Sequence, residues 1–510
     1  TNSAAALVET NYGCVINCFC TGTIKGEHYV GGLVAFNYGR MVDCSSTAFV
    51  ESEHWAGGLV GANGGNMVGC HSEGAVWGST WGIGGLIGEN GEGGSIVNCH
   101  STAKVDGGNW AGGLVGGNEG LVIGSYSQGD ITEGRNAGGF VGVNWGTVSN
   151  CYSTGTVTGW TRSGGFAGDN QGGITHCYAT GRVYQQMSFE IYTNGFVGVN
   201  TGRIVKCFWD TDASTRVTDP GATGLSTDRM MSAEVFLPAG WDFVGEETNG
   251  FRDLWRMPEE RGYPLLSASA GEIPSPFSGE GTPRDPYLIS TREDLERIYY
   301  YPEASYRLAA LIDLSAVRYA GPVIPVFSGT FDGNSQTIRG LTIQGDSYLG
   351  LFGILDDSAR IHNLAVEDVN IAGWDRIGGL AAYSRAGLVN CCTEGTIRGH
   401  DKLGGLLGLV KGGCLINCSS RTSVSGNLQI AGLTSSAEYS RLVNCYAAAA
   451  VVGASADSST RRAVSALAEH NVGGLLANSY ESAVRSCFWD TDISGQTFSA
   501  AGEGLTTAQM

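Results

Sequence analysis

Charge is scarce in this sequence. Asp, Glu, Lys and Arg together supply 15% of 510 residues, well short of the roughly 25% usual in globular domains. Proline is sparse, at 11 residues. No block of Lys or Arg occurs, and 49 acidic against 30 basic residues leave a net charge of -19, a balance that repels nucleic acid and anionic membrane surfaces. No apolar run reaches the roughly 20 residues that span a bilayer, and the opening TNSAAALVET lacks the basic and apolar blocks of a signal peptide. Neither a nucleic-acid partner nor membrane insertion is expected, and the chain reads as a mature or trimmed soluble segment. Helices are disfavoured because glycine interrupts every window before an apolar stripe at 3.6 spacing develops.

Glycine is what the chain has in excess, with 81 residues, beside a 42% hydrophobic share sufficient for a substantial core. The glycines fall at a period. Aligned on the apolar residue after a Gly-Gly pair or its equivalent, the anchors are Leu7, Leu33, Leu59, Leu86, Leu114, Phe140, Phe166 and Phe196, with steps of 26, 26, 27, 28, 26, 26 and 30. Four residues after each anchor stands an asparagine: Asn11, Asn37, Asn63, Asn90, Asn118, Asn144, Asn170 and Asn200. A third column is Cys18, Cys44, Cys70, Cys99, Ser125, Cys151, Cys177 and Cys207.

A constant period of about 26 residues, built from GGLVG, a turn, TVSNCYS and a short alternating piece such as TVTG, predicts three short strands per coil. Coils of equal length stack into an all-β parallel solenoid. Adjacent coils lie about 4.8 Å apart, which stacks the anchors along one inner wall and the cysteines along another. The asparagines are expected at a corner, with amides bonded above and below and a tolerance of left-handed backbone where the corner is tight.

GGLVGANGGNMVGC, GGLVGGNEGLVIGS and GGFVGVNWGTVSNCYSTGTVTG resemble the GLUG-motif repeats of large bacterial surface and secreted proteins, adhesins among them. The resemblance implies a right-handed parallel β-helix and an extracellular or cell-surface location.

The second half repeats the plan with anchors Leu351, Leu380, Leu406, Leu433 and Leu475 and an inner column of Leu364, Cys391, Cys418, Cys445 and Cys487. Its asparagine column is replaced by Ser384, Val410, Ala437 and Ser479, and a 42-residue step predicts a protruding loop around residues 454–470. Both arrays finish alike, since CFWDTDASTRVTDPGATGLSTDRM from Cys207 and CFWDTDISGQTFSAAGEGLTTAQM from Cys487 match at 11 of 24 positions. GTPRDPYLISTREDLERI predicts one short capping helix. The expected organisation is a first array over 1–207, an end plug and linker over 208–280, the capping helix and opening coils over 281–345, a second array over 346–487 and a shortened plug over 488–510. The first array lacks such an opening and the second lacks the AGWDF and GYPLL tail. The chain is therefore expected to belong to a longer tandem protein, or to meet further copies of itself in a fibre.

Fifteen cysteines raise zinc and disulfides. Thiols stacked in register sit nearly 4.8 Å apart at Cβ, farther than the about 3.8 Å a disulfide prefers, so most are expected to be free; Cys14, Cys20, Cys392 and Cys414 are the irregular ones left for a bridge. Cys70-His71 and Cys99-His100 cannot converge on one ion, because strand neighbours face opposite ways. Glu27-His28 and Glu53-His54 stack at one corner and could hold only an adventitious metal. No cofactor is expected.

Catalysis on a β-helix needs carboxylates converging across coils. Glu73, Asp130 and Glu394 hold roughly comparable positions, yet Thr47, Ala103 and Thr154 beside them are not acidic, so no catalytic residue is assigned. Asp210 and Asp212, mirrored at Asp490 and Asp492, form a DxD pair with calcium-ligand spacing. The favoured alternative is that FWDTD closes the solenoid, with Phe208, Trp209, Phe488 and Trp489 as plugs. Finally, Tyr29, Trp55, Trp81, Trp110, Trp160 and Trp374 lie four to six residues before their anchors. Such an aromatic edge would stack on sugar rings or bury against a partner, unless each ring packs over its own corner. The first expectation is a non-enzymatic extracellular structural or adhesive protein, partnered by copies of itself and by surface glycans; the alternative is a carbohydrate-binding or carbohydrate-active β-helix.

Overall fold

A computed structural model describes residues 3–186, 192–246, 248–267, 277–453 and 472–510. The chain divides into two compact units, residues 1–273 and 274–510. Each is a parallel β-solenoid.

In the first unit every coil contributes to stacked parallel sheets, two of them eight-stranded, running from Val8–Asn11 to Val197–Asn200 and from Cys14–Ile16 to Arg203–Val205. A third runs from Phe19–Cys20 to Phe208–Asp210 and Thr223–Leu225, and a fourth pairs Thr23–Gly31, Phe49–Gly57 and their successors. The coil is thus four-sided where three strands were expected. TVSNCYS is not one strand but two, Thr147–Ser149 and Tyr152–Ser153. The break falls at Asn150, whose φ of 53° is left-handed, a conformation that asparagine and glycine adopt at small cost.

That corner recurs in every coil. The residue before each column cysteine or Ser125 has positive φ: Asn17, Asp43, Gly69, Asn98, Gly124, Asn150, His176 and Lys206. The column of Asn37, Asn63, Asn90, Asn118, Asn144, Asn170 and Asn200, expected at a corner that left-handed backbone could serve, has no positive φ. It instead ends a strand in exact register, Asn11 pairing Asn37, Asn37 pairing Asn63, and so on. These amides point inward and bond in one continuous chain. Each Nδ2 donates to the next Oδ1 at 2.7–2.8 Å from Asn11 to Asn200. A buried amide without partners would cost several kcal/mol; here the neighbouring coil supplies them.

The cysteine wall forms as expected. Cys44, Cys70, Cys99, Cys151, Cys177 and Cys207 are buried, whereas Cys18, in the first coil, is only half-buried. Cys151 and Cys177 stand on successive coils, each preceding one of the paired residues Tyr152 and Tyr178, and both are buried. Each thiol also donates across the left-handed corner to the carbonyl two residues back, as from Cys151 to Ser149 at 3.2 Å, and the Ser125 hydroxyl makes the same bond to Ile123 at 3.0 Å. That shared bond explains why serine can stand in the column. All fifteen cysteines are free, Cys14, Cys20, Cys392 and Cys414 included. Phe140, Phe166 and Phe196 stack at 4.7 and 4.8 Å on the anchor wall, while Leu7, in the first coil, is exposed.

The second unit opens with the expected helix, Arg292–Arg297. Thr291 and Asp294 form a reciprocal capping box, and Leu295 and Ile298 enter the core. Its sheets run from Tyr287–Ile289 to Ala483–Arg485 and from Ile324–Phe327 to Leu476–Tyr480. Ser384, Val410, Ala437 and Ser479 do replace the inner asparagines in register. A different ladder appears on the outside: Asn390, Asn417 and Asn444 each donate to the asparagine one coil earlier at 3.0–3.2 Å, beginning at Asn363. All four have φ between 52° and 55°, so the left-handed corner keeps asparagine when the interior does not. The loop expected around 454–470 lies outside the described residues.

Candidate functional site: an aromatic flank

The outward face of the sheet that ends in the asparagine ladder is bordered by two columns. The one before the Gly-Gly pair carries Tyr29, Trp55, Gly82, Trp110, Asn136 and Arg162; the one after the ladder carries Tyr12, Tyr38, Glu119, Trp145 and Gln171. Between them the sheet presents Phe36, Ala62, Glu89, Gly117, Val143 and Asp169 in register.

The rings on this face form one connected strip. Tyr12 stacks on Tyr38 at 5.4 Å, Tyr38 contacts Phe36 at 6.5 Å, and Phe36 contacts Tyr29 at 4.8 Å. Tyr29 stacks on Trp55 at 6.1 Å, and Trp55 meets Trp110 at 5.4 Å. Trp110 in turn meets both Trp81 and Trp145 at 5.0 Å, with interplanar angles of 64° and 70°. Gly117 supplies the floor, its Cα hydrogen facing Trp55, Trp110 and Trp145, all within 3.6 Å of where a Cβ would stand. Trp55 lies over Gly82, which has no side chain to lift the ring.

Four of the six assigned edge residues thus come together: Tyr29, Trp55, Trp81 and Trp110. Trp160 does not. Its indole donates to Gln186 at 2.7 Å, and the column it precedes has become polar, with Arg162 paired to Asp169 at 2.6 Å. Trp374, in the second unit, stacks on His400 at 4.2 Å. Trp145 was missed because it follows the asparagine instead of preceding Gly-Gly; aligning the residue after each asparagine would have placed it with Tyr12 and Tyr38. Glu89 sits in the strip, close enough for its charge to help burial push up the Tyr29 phenol. Burial, and then Glu119, raise the Glu89 carboxyl above the usual carboxylate range.

A second outward column holds His71, His100, Tyr126, Tyr152 and Tyr178, stacked at 4.7–5.1 Å and within 4° of parallel. Burial, and next the neighbouring His71, hold His100 down to about 4. The lower rings are covered by the segment after the first array: Tyr178 donates to the Pro264 carbonyl at 2.7 Å, Trp255 to Asn150 at 3.2 Å and Trp241 to the Lys206 carbonyl at 3.1 Å. AGWDF and GYPLL therefore clasp the side of the solenoid.

The acidic candidates have structural partners. Asp210 caps the helix Thr211–Ser214, one oxygen accepting from the Asp212 and Ala213 amides and the other from the Thr227 and Tyr263 hydroxyls. Asp212 accepts from the Thr227 amide. Asp490 repeats the cap with Asp492, Ile493 and Thr507, and Asp492 accepts from the Thr507 amide. Trp209 and Trp489 plug the cores, but Phe208 was misplaced: it faces outward against Phe236 and Trp241, because alternate strand residues point to opposite sides. Phe488 likewise alternates with Trp489, on the strand pairing Tyr446. Glu73 and Asp130 fall in different columns, one following the buried Ser46–Ser72–Ser101 row, the other preceding Ile131, which pairs Val105 and Val157; Glu394 is in the other unit. His28 and His54 stack at 4.5 Å. Among the described residues no three His, Cys, Asp or Glu side chains gather where they could hold a metal ion.

The fold and its ladders define a parallel β-solenoid of stacked coils. The family model for the GLUG motif matches residues 79–106 and 133–158, two coils of the first unit. The chain is similar to Halomucin of Haloquadratum walsbyi (strain DSM 16790 / HBSQ001), 34% identical over 151 residues, which cover 26% of this chain and 2% of that protein. It is also similar to a Gly-rich membrane protein of Evansella cellulosilytica, 30% identical over 126 residues, 22% of this chain and 15% of the relative. The chain thus spans a small part of the length of the curated relatives it matches. No solved structure matches it. No helix among the described residues is long and apolar enough to cross a membrane.

Proposed function

We propose that this chain is part of an extracellular, non-enzymatic surface protein, a stiff β-solenoid segment with an adhesive flank. The observation that carries the proposal is the connected strip of rings from Tyr12 to Trp145, laid on an outer face while the anchors, asparagines and cysteines hold the interior. Rings of this size left partly open to solvent on a scaffold of stacked, hydrogen-bonded coils fit contact with something outside the chain. The names of the relatives, a mucin and a membrane protein, agree with a place at the cell surface. Proposed partners are surface glycans and further copies of the protein, in tandem or in a fibre. Brief protease treatment of intact cells, followed by mass spectrometry, tests the location: peptides from the coils are expected in the supernatant, and their confinement to lysed cells refutes it. Negative-stain microscopy of the native material tests assembly, with regular filaments expected.

A further inference from the structure

We propose that the flank of Trp55, Trp81, Trp110 and Trp145, with Glu89 among them, binds a polysaccharide of amino sugars in their ammonium form. The inference rests on the adhesive reading of that flank and names its ligand class.

Ring orientation separates this strip from the other aromatic ladders. In the column from His71 to Tyr178 the rings lie parallel, each face covered by the next coil, so only edges are offered. The four indoles break that pattern. Gly82 interrupts the column, Trp55 falls across it, and Trp110 then meets its three indole neighbours at 64–70°. Trp55 has Tyr29 as a parallel neighbour on one side, whereas Trp81, Trp110 and Trp145 meet their ring neighbours only at steep angles. Trp81 and Trp145 remain 43% and 37% exposed. Trp55, Trp81, Trp110 and Trp145 come from four successive coils, three before their Gly-Gly pairs and Trp145 after its asparagine, and gather around Trp110. The apolar face of a hexose can rest on the exposed parts of Trp81 and Trp145 at either side of that cluster.

Charge selects among hexoses. Glu89 stands within the strip, its carboxyl raised by burial and then by the nearby Glu119, on a chain of net charge -19. An isologous pair of copies would set these carboxylates against their own kind, and an acidic glycan would meet the same repulsion. An ammonium group gains from both the carboxylate and the indole faces. An amino sugar joins that cation to a flat apolar ring; a basic peptide has the charge without the repeating face.

The test is titration of the full chain at pH 6 with a fully deacetylated glucosamine hexamer, followed by calorimetry and tryptophan fluorescence, alongside its N-acetylated form, cellohexaose and hexalysine. The glucosamine hexamer is expected to bind at least about tenfold more tightly than the other three. The W81A/W145A variant alters two partly exposed rings, and circular dichroism checks its fold. It should lose that binding, while Glu89→Gln should narrow the gap between glucosamine hexamer and cellohexaose. Absent binding, equal binding of hexalysine or cellohexaose, or unchanged affinity in W81A/W145A overturns the proposal. So does a concentration-dependent dimer, seen by sedimentation, that W81A/W145A abolishes. Any of these results with coil peptides still released from intact cells overturns the ligand assignment and leaves the surface location standing.

Discussion

Asn118 donates from Nδ2 to the Oδ1 of Asn144, 26 residues later in the chain but only one coil away, at 2.8 Å. Asn90 donates to Asn118 in the same way, and Asn118 also reaches the Gly120 carbonyl at 3.3 Å. Replacing Asn118 by Leu strands a buried donor above and a buried acceptor below. The expected cost is about 2–4 kcal/mol, read as a lowered urea midpoint. A variant as stable as the parent would show that the amide chain contributes no net stability.

The cysteine column should be quiet toward thiol reagents. Burial raises the Cys70 and Cys177 thiols, and the Cys445 thiol is pushed up to about 12 by its contact with Cys418 and by burial. In the native protein only exposed Cys14 and half-buried Cys18, Cys392 and Cys414 are expected to react promptly with a disulfide reagent, and the rest only after unfolding. Cys151→Ser should cost at most about 1 kcal/mol, because Ser125 already makes the corresponding hydrogen bond.

His176 supplies a pH dependence. Burial under the side segment, opposed by a hydrogen bond to the Ala239 carbonyl, holds it down to about 4 from 6.5. The folded chain thus binds this proton less readily than the unfolded chain, so stability falls as pH drops from about 6.5 to about 4 and levels off below. Carboxyls raised by burial at Glu89, Asp169 and Asp219 act with the opposite sign, so the contribution is read as a difference. His176→Asn keeps the left-handed corner, as Asn150 does one coil earlier. It should flatten the acid limb of the stability curve by roughly 1–2 kcal/mol; coincident curves for the two proteins would refute this account.

Gly195 and Gly13 should respond unequally to alanine. A Cβ on Gly195 would overlap the indole of Trp209, which plugs the first core, whereas one on Gly13 would meet only Asn11 Oδ1 at 3.9 Å. Gly195→Ala is expected to cost about 1–3 kcal/mol by overpacking, with Gly13→Ala nearly neutral. Thermal melts of the two variants decide it.

The clasp on the first unit can be loosened by itself. Trp255 is fully buried against Tyr152, Tyr178 and Trp241. Trp255→Ala should speed proteolysis within residues 232–267 while coils ahead of Asn118 stay protected, since the solenoid ladders do not pass through the clasp. Cleavage spread evenly through the coils would count against that independence.

How much of this was legible beforehand follows from what repeats. Asn144 and Cys151 recur at a fixed step, and equal coils can only stack in register, so the amide chain and thiol wall could be written down from spacing. Spacing places Asn144 and Asn150 near corners but does not say which carries the positive φ, and it is Asn150. Trp145 joins the strip and Trp160 does not, although only Trp160 precedes a Gly-Gly pair, because the outer columns repeat less closely than the inner ones.

The sequence by itself determined the solenoid, its period and its inner walls, since a side chain repeated once per coil must meet its own kind above and below. Only the tertiary structure decided which outer rings lie flat, which stand in parallel ladders and which are covered by residues 232–267. Outward side chains are held by contacts between different columns and distant segments, as Trp55 falls across Gly82 and Trp255 reaches Asn150 105 residues away, and no periodicity encodes such contacts.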